Sequence, residues 1–460
     1  MTFPGDDSGL NRRTFLRHGA TLAGLSMAAP WEALTARLVA GGRQEGPGYG
    51  ALAPVADKTT GLPLLMLPEG FTYLSFGWTG DKQADGSLTP GWHDGMAAFP
   101  SYRGFCRLVR NHEIGAGEAA FAPSLAYDLN AGGGTTTLDF DTRRGQLVRS
   151  FSSLSGTVRN CAGGPTPWGS WLTCEEALDD VFPGGATKPH GYIFEVPAFG
   201  TPTRLPLTAM GRFVHEALAV DPVTGFVYET EDRTPSGFYR FRPHVRGDLA
   251  KGGSLQMLGI AGQPRFDTMR NMTPNVKLPV VWYDIADPSR PHYDPNAGDG
   301  AGVFAQGFEQ GGAQFARLEG AWQGNGVIYF VSTSGGNARQ GQIFVYDPAA
   351  NEFWLLFESP SSTVLAAPDN ICVSPRGGLV LCEDGGGLEY LHGLTPQGDI
   401  FRFCQNNVVL NGERNGIVGN FTGSEFAGAT FSPDGRWLFC NIQSPGISLA
   451  ITGPWEDGAL

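Results

Sequence analysis

The 460-residue chain carries 67 glycines and 33 prolines with 41% hydrophobic and 11% aromatic residues, a mix that excludes disorder and favours many short strands joined by tight turns. Its 32 basic and 45 acidic residues leave a formal charge of -13, which argues against a nucleic-acid backbone as partner. An anionic small substrate would then need positive charge supplied locally, and bound metal ions are the economical source in an acidic protein.

Residues 1–45 read as a leader and linker. Asn11-Arg12-Arg13-Thr14-Phe15-Leu16-Arg17 precedes a weakly apolar stretch from Gly19 to Ala29, the layout of a twin-arginine export signal; a short basic helix is the other reading. Cleavage is expected after Ala28 or nearer Ala40. No other run reaches the ~18 apolar residues needed to span a membrane. The mature protein is therefore expected to be soluble and periplasmic or extracellular, a monomer, with the twin-arginine machinery as its export partner. The seven cysteines (106, 161, 174, 372, 382, 404 and 440) are odd in number and include no CxxC pair, so a disulfide framework is a poor account of them. Cys372, Cys382 and Cys440 sit in apolar strand runs and read as small core residues; Cys161 does not.

Further along, a pattern recurs: an acidic residue, a short apolar strand, a Pro/Gly turn, a second apolar strand, then acidic or amide residues. Glu216 to Asp232 is the clearest copy, followed by Asp369 to Asp384 and Ala427 to Asn441, with weaker copies from Cys161 and Glu319. Starts near 113, 161, 216, 319, 369 and 427 are separated by 48, 55, 103, 50 and 58 residues, which fits four-stranded blades with one blade enlarged. The segment 251–312 is the expected insertion, with one convincing strand at Val280 to Ile285; a seventh blade there is the competing count. Runs at Thr135 to Phe140, Gly191 to Val196, Gly237 to Arg242, Gln342 to Asp347, Glu352 to Phe357 and Gly398 to Phe403 fit outer strands, and helical periodicity is nearly absent. The expectation is an all-β, six-bladed β-propeller over residues 46–460.

Residues at equivalent repeat positions meet around a propeller's axis. Glu113, Cys161, Glu216, Glu319 and Asp369 stand at or beside the strand starts, and like charges gathered there repel unless cations sit between them; a solvated polar channel without metal is the alternative. Carboxylate oxygens suit calcium, and a thiolate calls for a softer transition metal. Glu175, Glu176, Glu231, Asp232, Glu383 and Asp384 add carboxylates just past second strands.

Arg110-Asn111-His112-Glu113, the segment from Asn160-Cys161-Ala162-Gly163-Gly164 through Glu175-Glu176, Val214-His215-Glu216, Arg317-Leu318-Glu319-Gly320, Pro368-Asp369-Asn370 and Phe426 to Gly435 are similar, in order, to the motifs of the PhoX phosphatases. That resemblance implies an exported alkaline phosphatase hydrolysing phosphate monoesters, with two oxo-bridged ferric ions (Fe3+) and three calcium ions (Ca2+) on the propeller axis. Cys161 looks like the thiolate ligand to iron, with Glu176, Glu216 and Glu319 as bridging or terminal carboxylates. Asp369, Glu383, Asp384, Glu231 and Glu113 look like calcium ligands. Arg317 resembles the phosphate-holding arginine, its planar fork matching phosphoryl oxygens, with simple neutralisation of its acidic neighbours as the other reading, and Arg110 is a second substrate-binding candidate. His112 and His215 adjoin these residues as acid/base groups, as partners of ligands, or as packed hydrogen-bonded histidines.

No Gly-x-Ser-x-Gly elbow, phosphate loop, HExxH or complete Gly-x-Gly-x-x-Gly occurs, so nucleotide-driven and serine-hydrolase readings lose support. Asp139-x-Asp141 and Asp294-x-Asn296-x-x-Asp299 resemble fragments of calcium loops, though turns explain both. Two rivals remain. A calcium-dependent propeller lactonase would share the axial carboxylates without needing Cys161 or Arg317. A non-catalytic ligand-binding propeller would tolerate their loss.

Overall fold

The computed structural model describes residues 47–178, 185–291 and 302–460. The expected leader and the Asp294 to Asp299 run lie outside the described residues. Strands form where apolar runs alternate with side-chain-stabilised turns. Past Val220, for example, Asp221 accepts hydrogen bonds from the backbone N–H groups of Val223 and Thr224 (3.0 and 3.2 Å) and Gly225 adopts φ 75°, so the chain reverses.

Six strands lie innermost among the described residues: β1 (His93–Pro100), β2 (Asn160–Pro165), β3 (His215–Val220), β4 (Leu318–Gly324), β5 (Pro368–Val373) and β6 (Phe426–Phe431). Each packs on the next and β6 packs on β1, closing a ring. Each also opens an antiparallel meander running outward. From β1 it continues through Phe105–His112, Gly133–Asp141 and Gln146–Thr157; from β2 through Ser170–Glu175 and Ile193–Pro197. The expected outer strands are all present, with ends shifted by a few residues at most.

The all-β, propeller-like expectation holds, but the six separate blades do not. The meanders from β1, β2, β5 and β6 form four separate sheets, while those from β3 and β4 belong to one nine-stranded sheet. Leu278–Asp284, the strand expected within the insertion, joins them: it pairs with Gly253–Ile260 on one edge and Glu352–Glu358 on the other. Two edges that would each have left backbone N–H and C=O groups unpaired thus share one strand. Gly253–Ile260 also lies inside the expected insertion, as the fourth strand of the β3 meander, so that segment holds two strands and not one; its remainder contributes a helix, Val303–Gln310, and no seventh meander among the described residues. At the other end of the ring, Thr72–Phe76 from the N-terminal side pairs with Ile447–Thr452 and completes the β6 sheet.

Apolar side chains fill the wedges between sheets. Phe238 stacks on Phe330 at 4.0 Å between the β3 and β4 meanders. All seven cysteines are free and buried, with Cys372, Cys382, Cys404 and Cys440 in one core with Tyr73 and Trp78. Nearer the axis the strands approach too closely for side chains. A Cβ on Gly320 would lie 2.6 Å from the Asp369 carbonyl oxygen, and one on Gly95 would lie 2.5 Å from the Ala162 Cα.

Candidate active site

Every inner strand carries a β-bulge near its start. The register with the second strand slips between His93 and Met96, Asn160 and Gly163, His215 and Leu218, Leu318 and Ala321, Pro368 and Ile371, and Ala427 and Thr430. A bulge re-aims the extra residue, and the first bulged residues are Asp94, Cys161, Glu216, Glu319, Asp369 and Gly428. A second tier follows the ends of the second strands: Glu113, Glu176, Asp232, Thr333, Asp384 and Gln443. Each donates its backbone N–H to the carbonyl of the residue just before an inner strand, namely Trp92, Arg159, Val214, Arg317, Ala367 and Glu425, at 2.9–3.3 Å. Ligand-type side chains are thus held on rigid backbone rather than on free loops.

Eight residues of these tiers, with Glu425 just before β6, form one chain of ligand-type side chains. Ligand atoms lie within 4.8 Å of one another in each of four groups: Cys161, Glu176 and Glu216; Glu216, Glu319 and Asp369; Asp369, Asp384 and Glu425; and Asp94, Glu113 and Glu425. Glu216, Asp369 and Glu425 each belong to two groups. Burial, then the charges of Asp369 and Glu176, push the Glu216 carboxyl well above its usual range. Burial and the same kind of crowding do likewise to Asp94, Glu176, Glu319 and Glu425, and burial followed by Asp384 raises Asp369 to about 7. The Cys161 thiol is pushed well up by burial, then by Glu216 and Glu176. Anions so placed at neutral pH require counter-cations. The donor set fits them: three all-oxygen groups suit hard cations such as calcium, and the thiol-containing group suits a transition metal.

Two arginines are tied to this floor. Arg317 donates to Asp232 at 2.8 and 3.0 Å and to Glu319 at 2.7 Å. Burial opposes its charge, but those carboxylates hold the guanidinium more basic than usual. Arg159 donates to Glu113 at 2.7 Å and Glu176 at 2.5 Å. Both occupy the left-handed region at φ 47°, as do Trp92 and Ala367 at the corresponding positions, φ 50° and 44°. A buried side chain at the end of the second strand clamps the residue before each of the four. His112 Nδ1 meets the Gly91 carbonyl at 2.8 Å, Glu175 accepts from Val158 N–H at 3.0 Å, Ser332 donates to the Ala316 carbonyl, and Glu383 accepts from Ala366 N–H at 2.6 Å.

A family model described as alkaline phosphatase PhoX matches residues 48–446. The chain belongs to the PhoX family. It is a phosphatase, and its substrates are phosphate esters. Among solved structures it is similar to Pseudomonas fluorescens PhoX in complex with vanadate, a transition state analogue, at 18% identity and TM-score 0.62 over 90% of this chain and 99% of that one. A Xanthomonas campestris gluconolactonase (13% identity, TM-score 0.42, 88% of this chain and 98% of that one) and a Staphylococcus aureus virginiamycin B lyase (10%, 0.38, 83% and 99%) overlap too loosely to bear on function. No curated protein matches the sequence.

In this PhoX-family chain Cys161, Glu176, Glu216, Glu319, Asp369, Asp384 and Glu113 come together as the sequence implied, with Arg317 beside them. Five other expected residues do not join them. Arg110 is wholly buried and donates to the Gly77 carbonyl, Ser448 and Thr136 at 3.0, 2.7 and 3.1 Å, so its fork is committed to the wall between sheets. His112 is held by Gly91 and Thr136 (2.9 Å). His215 stacks on Phe213 at 3.6 Å and contacts the Gly211 carbonyl at 3.2 Å, and burial lowers its pKa to about 4. These are packed histidines. Glu231 accepts from Gly237 N–H at 3.0 Å and the Tyr239 hydroxyl at 2.7 Å, and Glu383 is turned to Ala366 and His392. Along a strand's end, alternate residues face opposite sides, so Asp384 faces the axis and Glu383 the blade. Asp94, Glu425 and Arg159 were not picked out by sequence. The repeat, begun one strand earlier, reaches Asp94, and the same register applied one residue before each inner strand reaches Arg159 and Glu425.

Proposed function

We propose that this phosphatase is an exported, periplasmic or extracellular enzyme that hydrolyses phosphate monoesters with iron and calcium, loaded before passage through the twin-arginine machinery. The observation that carries the metal assignment is the chain of four ligand groups with one buried thiol at one end. Cys161, Glu176 and Glu216 would hold iron, with Glu319 beside them through the group that shares Glu216, and the carboxylates of Asp369, Asp384, Glu425, Asp94 and Glu113 would hold calcium. When bound, these ions supply Lewis acidity and positive charge for attack at phosphorus. Family membership and the resemblance to a vanadate-binding phosphatase support the same reading.

The chain's own part is to bind and orient. Arg317, its side chain 45% exposed above Glu319 (4%) and Asp232 (9%), is placed to meet phosphoryl oxygens arriving from solvent and to offset charge developing on them. Asp232 fixes two of its nitrogens, so the guanidinium plane is set before substrate arrives. Buried carboxylates below it define where the ions would sit.

Metal analysis of the folded, exported protein, with hydrolysis of a generic phosphomonoester before and after calcium removal in wild type and Cys161→Ala, tests this. Iron together with calcium, and activity lost on either perturbation, is the expected result. Calcium without iron and no hydrolysis would overturn it.

A further inference from the structure

Arg159 and Arg317 are related by the internal repeat. Each is the residue before an inner strand, each is left-handed at φ 47°, and each accepts at its carbonyl from the residue after the second strand, Glu176 at 3.0 Å and Thr333 at 2.9 Å. Each is fixed from behind by a buried side chain on the preceding residue: Glu175 accepts from the Val158 N–H, and Ser332 donates to the Ala316 carbonyl. Their surroundings match as well. The Arg159 side chain is 33% exposed, whereas its partners Glu113 and Glu176 are 12% and 14% exposed, the same order of depth as Arg317 over its carboxylates. Arg159 borders the group Cys161, Glu176 and Glu216; Arg317 borders the group Glu216, Glu319 and Asp369. The two groups share Glu216, and each has a guanidinium bonded to one of its other carboxylates, Arg159 to Glu176 and Arg317 to Glu319.

We infer that Arg159 is a second arginine that grips the phosphoryl group of the ester, working with Arg317 from the opposite side. This rests on the phosphatase reading above. A monoester dianion presents three non-bridging oxygens, one guanidinium fork engages at most two, and a floor of carboxylates repels the dianion wherever a cation does not face it. A lysine at 159 keeps the charge and one contact to Glu113 or Glu176 but cannot present a fork.

The test uses full-length metal-loaded protein, with p-nitrophenyl phosphate as substrate and inorganic phosphate as competing ligand, in wild type, Arg159→Lys, Arg159→Gln and Arg317→Lys. The expected result for Arg159→Lys is unchanged metal content and Tm, with KM for the ester and Ki for phosphate each raised about tenfold or more, as for loss of a charge-assisted hydrogen bond, and comparably to Arg317→Lys. Unchanged KM and Ki would overturn the inference, as would metal content and kcat falling together while phosphate affinity per loaded site stays the same, since Arg159 would then serve only to neutralise Glu113 and Glu176. If wild type hydrolyses the ester and binds phosphate while the Arg159 variants match it, the inference fails alone. If wild type does neither, the phosphatase reading fails and takes the inference with it.

Discussion

Glu383 and Asp384 are adjacent acids with different surroundings. Glu383 accepts the Ala366 N–H at 2.6 Å and faces His392 at 3.3 Å, whereas Asp384 groups with Asp369 and Glu425. Asp384→Asn is therefore expected to lower calcium content and to reduce hydrolysis by about tenfold or more. Glu383→Gln, which keeps an oxygen for the Ala366 amide, should retain full metal content and cost about 1 kcal/mol of stability. Elemental analysis beside chemical denaturation separates the two, and calcium loss in Glu383→Gln would put that residue back among the ligands. At this scale the sequence was legible where chemistry recurs with the repeat, as for Cys161, Glu216, Glu319 and Asp369. It was not legible where two acids adjoin, because which one faces the axis depends on strand pairing, nor at Asp94, because the first copy of the repeat was started near Glu113, one strand after the one that carries Asp94.

At the scale of the strand, the bulge and the close approach between neighbours act together. The bulge points Glu319 and Asp369 inward, and the absence of a side chain at Gly320 lets β4 and β5 come near enough for those carboxylates to share a group. In Gly320→Ala the new Cβ would meet backbone atoms, the Asp369 oxygen at 2.6 Å and the Asn370 Cα at 2.8 Å, which cannot swing aside as a side chain can. The strands must part, at a cost of about 1–3 kcal/mol, and calcium affinity should fall with them. Denaturant unfolding and a calcium titration check both halves; a variant unchanged in both would show that other contacts set the spacing. The outer strands were readable from their apolar runs and turn residues. The double pairing of Leu278–Asp284 was not, since one of its edges belongs to Glu352–Glu358, a segment distant in sequence.

For the molecule as a whole, the candidate site is also a place where like charge is crowded in the metal-free ring, with Asp94, Glu176, Glu216, Glu319 and Glu425 buried or half-buried among other carboxylates. Ions that bind only the folded state stabilise it by mass action, about 2.7 kcal/mol at a hundred times the dissociation constant. Stripping calcium with a chelator should thus lower Tm by several degrees, and re-addition should restore it. A Tm indifferent to calcium would mean that protonation alone relieves the crowding.

The way the ring closes has a consequence in time. The nine clustered residues run from Asp94 to Glu425, Gln443 completes the second tier through Glu113 at 2.8 Å, and the last sheet borrows Thr72–Phe76 from the chain's beginning. Contacts this distant in sequence form late in folding. No growing or truncated chain that stops short of Glu425 contains all nine, and one that stops short of Gln443 lacks the last residue of the second tier. Metal loading therefore reports that synthesis passed Glu425 and that β6 closed on β1, so a product terminated before Glu425 lacks the complete metal-binding set.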